Sequence, residues 1–292
     1  MQHGHRSVEP LIRPARPEDV PACAAICYQA FKTINESHGF EPDFPSPERP
    51  ATLLASIFAD PGFFSVVAEA GGRIVGSNCM DERAPIAGIG PITVDPTVQN
   101  SGIGRLLMQA ALDRAALRGH SGVRLVQTAY HLRSLALYTS LGFQVREPLA
   151  CLQGRTRLRT LPGCAVRPAT VSDLEASNLL CRQVHGFERT AELSKAVQRG
   201  SAVVVEREGR ISGYASSLAR YGHAAAETNL DLQALLASAE SFAGPGFLLP
   251  TRNTELFRWC LDQGLRIVQP MTLMTMGLYD QPQGAWLPSI IY

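Results

Sequence analysis

The residues best suited to chemistry lie between Gly90 and Arg105, in the stretch GPITVDPTVQNSGIGR. A β-branched run closes at Val94, Asp95-Pro96 makes a turn, and Gln99-Asn100-Ser101-Gly102-Ile103-Gly104-Arg105 opens a stretch with helical apolar spacing. The first N–H groups of a helix have no partner inside it, and glycines let a ligand approach the backbone closely. The segment therefore reads as an anion cradle. Its spacing excludes two common phosphate loops. No Gly-Lys pair exists for a G-x-x-x-x-G-K loop, and Gly104 is followed by Arg105, Leu106 and Leu107 instead of a third glycine. Gly88-Ile89-Gly90 precedes a strand, not a helix, and reads as backbone geometry only.

The remaining reactive residues are less suggestive. Lys32 and Lys195 are the only lysines, and neither has the context of a Schiff-base residue. Seven cysteines are scattered without a C-x-x-C pair, which argues against a disulfide scaffold or a structural zinc site. Cys23 and Cys27, at helical spacing, read as core residues, and His3 and His5 as part of a polar end. With 27 basic and 26 acidic residues, the net charge of +1 gives no field to recruit nucleic acid or an anionic membrane. No segment reaches the ~18 continuous apolar residues of a membrane span, and no signal-type h-region follows Met1. The expected location is the cytoplasm.

The elements that position the cradle emerge from a repeat. The 292 residues are enough for two domains. Arg13-Pro14-Ala15, Asp19, Ala22, Cys27 and Gln29 recur as Arg167-Pro168-Ala169, Asp173, Ala176, Cys181 and Gln183. Val66–Gly76 and Val203–Gly213 share seven of eleven residues. Each copy reads as a short strand, a helix capped near Asp19 or Asp173, and a hairpin turning at Gly71-Gly72 or Glu208-Gly209. Recurrence of Glu69 as Glu206 implies a structural role at that hairpin. The first copy has an extra piece, Phe31–Pro50. It continues with a strand to Val94, a helix Gly102–Arg118, a strand Val123–Thr128, a helix Leu132–Leu141 and a strand Phe143–Leu149. This order predicts an α/β or α+β domain with a mixed sheet.

The loop Gln99-x-x-Gly102-x-Gly104, followed by Ser134-x-x-x-Tyr138-x-x-x-Gly142-Phe143, resembles the two cofactor motifs of the GNAT superfamily of N-acetyltransferases. The resemblance covers about Leu11 to Leu149. It implies two GNAT-like domains, each a mixed, mostly antiparallel twisted sheet flanked by helices. The expected division is 1–155, a linker at 156–163, and a degenerate copy at 164–292. It also implies acetyl-CoA as co-substrate, no metal, and direct transfer of the acetyl group to a primary amine of a small molecule or peptide. Main-chain groups of Ile92, Thr93 and Val94 would hold the pantetheine arm. N–H groups of Gln99, Asn100, Ser101, Gly102, Ile103, Gly104 and Arg105 would bind the diphosphate. Tyr138 would meet the cofactor and protonate the departing thiolate; its alternative reading is a core aromatic. His131 stands where the family usually has Asn.

An attacking amine must be neutral, so a carboxylate base is expected. Asp81 and Glu82 are candidates, against a solvated turn in which Arg83 is their counterion. The second copy has no Q/R-x-x-G-x-G before its helix, expected at Leu232–Ala243. It has Asn253 and Cys260 where the first has His131 and Tyr138. Glu227 and Asp231 flank that helix start and would repel a diphosphate, so one acetyl-CoA per chain is expected. The apolar segment 284–292 is expected to dock. A non-catalytic acyl-CoA sensor or scaffold, and a transferase using longer acyl donors, remain as alternatives, and homo-oligomer formation is left open.

Overall fold

The computed structural model describes residues 9–291; His3 and His5 lie outside them. The chain forms two compact units. One comprises residues up to Glu82 with Ile89–His120, and the other Arg83–Gly88 with residues from Ser121 on.

The first unit is built from β1 (Leu11–Pro14), α1 (Val20–Glu36), α2 (Glu48–Phe58), β2 (Phe63–Ala70), β3 (Arg73–Asp81), most of β4 (Ile86–Val94) and α3 (Ile103–Arg118). Its strands run in the order β1-β2-β3-β4, and β1–β2 and β2–β3 are antiparallel. Alternation along β2 decides the layers, because successive side chains face opposite ways. Val67 packs with Cys23, Cys27, Leu54 and Ile57 of α1 and α2. Val66 and Ala68 pack with Ile103 and Leu107 of α3. The extra piece of the first copy is the end of α1, the start of α2 and the connection between them. Asn35, wholly buried, donates to Glu41 O at 3.0 Å, and Phe31 meets Phe44 edge-on at 5.8 Å.

The second unit continues through β5 (Gly122–Thr128), α4 (Leu132–Ser140), β6 (Gln144–Gln153), β7 (Cys164–Pro168), α5 (Leu174–His185) and α6 (Thr190–Gln198). It is completed by β8 (Val203–Arg207), β9 (Arg210–Ala215), β10 (Ala224–Ala226), α7 (Asn229–Ser238), β11 (Phe247–Pro250), α8 (Thr254–Asp262), β12 (Arg266–Gly277) and β13 (Ala285–Leu287). Residues 156–163 contain no helix or strand. One run of strands is β13-β10-β9-β8-β7, the other β5-β12-β6-β11. The architecture is thus mixed α/β, with mostly antiparallel sheets flanked by helices. In the second run the copies exchange strands. β12, late in the chain, pairs antiparallel with both β5 and β6, and β6 pairs with β11.

The repeated Arg, Asp and Glu form the same clamp in both copies. Arg13 donates to Asp19 through two nitrogens, at 2.8 and 2.9 Å, and to Glu69 at 2.9 Å. Arg167 does the same to Asp173 at 2.7 and 2.8 Å and to Glu206 at 2.6 and 2.8 Å. The two aspartates do not cap the long helices with their side chains, as the sequence suggests. Their carboxylates instead accept from the backbone N–H of Arg16 and Thr170, closing a short 3₁₀ turn ahead of the helix.

Hydrogen bonds from the arginines hold both aspartyl carboxyls below the usual carboxylate range. A depressed folded value lends stability that is complete above the unfolded value, about pH 4, and is lost as pH falls through the folded one. Arg167→Met is therefore expected to cost about 1–2 kcal/mol at pH 7, the partial exposure of the arginine limiting the effect. Urea unfolding at pH 7 and pH 3 checks this, because the deficit must shrink at pH 3. An equal deficit at both values contradicts the clamp.

Candidate functional site

The segment after β4 is held by its own side chains. Asp95 accepts from the backbone N–H of Thr97 at 2.9 Å and from its hydroxyl at 2.7 Å, fixing the turn Pro96–Val98. Gln99 donates to Val94 O at 3.2 Å, and Ser101 to Val98 O at 2.6 Å. Asn100 and Gly102 then take left-handed backbone conformations, at φ 68° and 87°. A side chain at Gly102 would be strained although nothing of the protein lies within 4 Å of its Cβ position. Arg105 N and Leu106 N bond Gly102 O, so the helical ladder starts there. Among the described residues, the N–H groups of Gly102, Ile103 and Gly104 meet no acceptor of the chain. Ile103 and Leu107 anchor α3 in the core. The result is a rigid loop with three consecutive unmet donors at the positive end of a sixteen-residue helix. Ile92 and Val94, half-buried, and Thr93, buried, precede it on β4.

In the second unit, α4 starts at His131, whose Nδ1 accepts from Ser134 N at 3.0 Å. The histidine thus supplies the helix cap that an asparagine could give. Tyr138, seven residues on, is buried, with its ring 6.2 Å from Phe143. Burial pushes its phenol up to about 12, and a hydrogen bond with the Ser134 side chain opposes the rise. The two carboxylates at the end of β3 differ. Asp81 is nearly buried, in register with Phe63. Both oxygens of Glu82 accept from Arg114 of α3, at 2.7 and 3.0 Å, and its backbone N–H donates to Gly62 O. Glu82 is thus committed to an ion pair within the first unit. The sequence offered no sign of Arg114 as its partner. All seven cysteines are free, six of them buried. Among the described residues no group of three or more His, Cys, Asp or Glu could hold a metal, and no helix is long and apolar enough to cross a membrane.

The model of the acetyltransferase (GNAT) family matches residues 28–143, which include the loop, β4, α3 and Tyr138. The match covers 116 of the 292 residues. A curated relative, the mycothiol acetyltransferase of Nocardia farcinica, is 38% identical over 63 residues, 22% of this chain and 21% of that protein. The matched stretch thus spans about a fifth of the relative's length. Solved structures match much more of the chain. A candidate acetyltransferase from Pyrococcus horikoshii has a TM-score of 0.71 at 18% identity, over 98% of this chain and 97% of that one. A GCN5-related N-acetyltransferase from Sphaerobacter thermophilus has a TM-score of 0.65 at 15% identity, over 94% and 97%. A tandem GNAT protein from the clavulanic acid biosynthesis pathway has a TM-score of 0.57 at 14% identity, over 93% and 100%. At such identities the likeness is one of fold.

Against the first copy, the second differs at the helix that follows its fourth strand. Its helix α7 starts at Asn229 rather than at Leu232, and ends at Ser238, because Thr228 and Asp231 form a reciprocal capping box. Asp231, wholly buried, accepts from Thr228 N and Oγ1, from Ser212 Oγ at 2.7 Å and from Arg207 Nε at 2.8 Å. At this helix start the chain's own groups meet the N–H of Thr228, through Asp231, and the N–H of Asp231, through Thr228 Oγ1. At α8, Asn253 caps as His131 does, accepting from Leu256 N at 3.2 Å. Cys260, at the counterpart of Tyr138, is buried, and desolvation pushes its thiol up to about 12.

If Glu82 serves chiefly to hold α3 to β3, its ion pair contributes to stability. Glu82→Gln, Arg114→Gln and the double variant should show a coupling of about 1–3 kcal/mol in thermal or urea unfolding. Additive effects would release Glu82 from that structural role.

Proposed function

We propose that this chain is an acetyl-CoA-dependent N-acetyltransferase whose first copy, 1–155, binds the donor, with 164–292 as a degenerate copy. The observation that carries the reading is the unmet N–H series Gly102-Ile103-Gly104, placed in a Gln99-x-x-Gly102-x-Gly104 loop inside the matched family segment. Those donors suit a diphosphate: they are fixed before binding, they lie at a helix start, and Gly102 leaves room for close approach. In this proposal N–H groups between Gln99 and Arg105 take the diphosphate. Main-chain groups of Ile92, Thr93 and Val94 align the pantetheine arm.

The acetyl group then passes directly. The amine nitrogen attacks the thioester carbonyl carbon, the C–N bond forms, and the C–S bond breaks. The amine loses one proton and the sulfur finally gains one, so the products are an amide and a free thiol. Tyr138 lies on the motif that serves the sulfur end. A phenol near 12 facing a thiol of ordinary value, about 8.5, would transfer its proton uphill by about 5 kcal/mol. Its contribution is therefore a hydrogen bond that strengthens as charge develops on sulfur, with completed transfer following bond cleavage. Asp81 and Glu82 are the two carboxylates proposed for the base, Glu82 being ion-paired with Arg114.

Three measurements test this reading. Gly102→Val should weaken acetyl-CoA binding at least ~100-fold in a chain that keeps its far-ultraviolet spectrum; unchanged affinity removes the loop from the site. Tyr138→Phe should lower kcat ~10²–10⁴-fold with the acetyl-CoA dissociation constant nearly unchanged. A variant with wild-type kcat returns Tyr138 to the core. Thiol release from acetyl-CoA across a panel of primary amines distinguishes catalysis from a sensor or scaffold: acceptor-dependent release is expected, and none with any amine favours the non-catalytic reading.

A further inference from the structure

In chain order, β10 and β11 of the second copy correspond to β4 and β5 of the first, and β13 lies beside β10 in the sheet. The segment 283–291 lies along that part of the fold. Gln283 N donates to Val184 O at 2.8 Å, and Ile290 N to Arg220 O at 2.8 Å. Between them, β13 pairs antiparallel with β10, in register Ala224↔Leu287, Ala225↔Trp286 and Ala226↔Ala285. It also contacts β11. Ala285, Trp286 and Leu287 are 2%, 5% and 3% exposed, and Ser289 Oγ donates to Tyr221 O at 3.1 Å. Trp286 stands edge-on to His185 at 5.6 Å between ring centroids. Gly284 makes the entry. Its φ is +91°, and a Cβ there would lie 2.7 Å from Ala226 O.

We propose that the segment 283–291 is a tethered peptide ligand of the second copy, occupying the groove beside β10 where the first copy, on the reading above, takes the pantetheine arm. The inference rests on that reading for the correspondence of the two grooves. The chemistry of the exchange is direct. An extended arm bearing amide groups and an extended peptide offer a strand edge the same hydrogen bonds. The edge of β10 would otherwise leave backbone donors and acceptors unmet. Trp286 buries a large surface in the same cluster as Ala225, while Ala285 and Leu287 share a cluster with Ala224 and Ala226. Tethering sets an effective concentration of order mM, which a dilute free ligand does not match. The groove retains an open cleft of about 380 Å³, lined in part by Thr228, Asn229, Arg252, Asn253 and Trp286.

The test uses the full chain. Of its two tryptophans, Trp259 is replaced by Phe, leaving Trp286 as reporter, and Gly284→Val is added to disturb the entry. In the Trp259→Phe parent, emission should be blue and acrylamide quenching weak. With Gly284→Val, emission should shift red, amide exchange at Ala224–Ala226 should rise at least tenfold, and exchange in β8 and β9 should hold. Acetyl-CoA affinity should stay within about twofold of the parent. Unchanged emission and exchange overturn the proposal, as does a tenfold loss of affinity on release. Should Gly284→Val fail to fold, hydrogen exchange of the unsubstituted chain decides. The amides of 285–287 and 224–226 must open together and faster than β8 and β9, whereas exchange only through global unfolding makes β13 an integral strand and refutes the ligand. Absence of acetyl-CoA binding in parent and variant alike would refute the functional reading, while the emission and exchange data still decide this proposal.

Discussion

Strand β12 carries much of the second unit. It pairs with β5 over Met271–Gly277 and with β6 over Arg266–Thr275, and it buries Met271, Leu273 and Met274 almost completely. Each such side chain contributes roughly 1.5–3 kcal/mol of apolar burial. Because β12 lies between them, β5 and β6 do not pair with each other; each is completed by a strand from the other repeat. The helix α4, with Tyr138, is strung between those two strands. Its position therefore depends on residues more than a hundred positions later in the chain. A second copy without a cradle can be retained for this reason alone, since the first copy's sheet is unfinished without it.

The comparison of copies gives a physical account of divergence. The Arg–Asp–Glu clamp is kept in both, because it ties a strand, a turn and a hairpin that any copy of the fold needs. At the helix after the fourth strand the copies part. α3 begins with left-handed Gly102 and open donors, whereas α7 begins with a capping box in which Asp231 accepts from Thr228 N and Thr228 Oγ1 accepts from Asp231 N. An open helix start costs stability that a ligand restores; a capped start is stable without one. The same contrast separates a phenol on α4 from a thiol on α8.

Much of this was legible in the sequence. The repeat, the hairpins, β4 to β6, the glycine-bearing helix start after β4 and the structural role of Glu69 and Glu206 follow from period, turn residues and recurrence. Strand β12 was not legible, for a reason visible in its residues. Pro270 interrupts RIVQPMTLMTMG and argues locally against a strand, and only the pairing on both sides and a register shift near Gln269 accommodate it. The start of α7 was misplaced because Thr228-x-x-Asp231 uses Asp where a capping box more often has Glu or Gln. The partner of Glu82 was hidden because Arg114 lies a whole strand and helix away. Long-range ion pairs leave no local signal.

We propose that one copy presents a cofactor cradle and that the other carries a carboxylate capping box in its place. Titration calorimetry of the intact chain with acetyl-CoA tests it most directly. The account predicts saturation at one acetyl-CoA per chain. Saturation at two would show that the capped helix start of the second copy still binds the donor, and would contradict it.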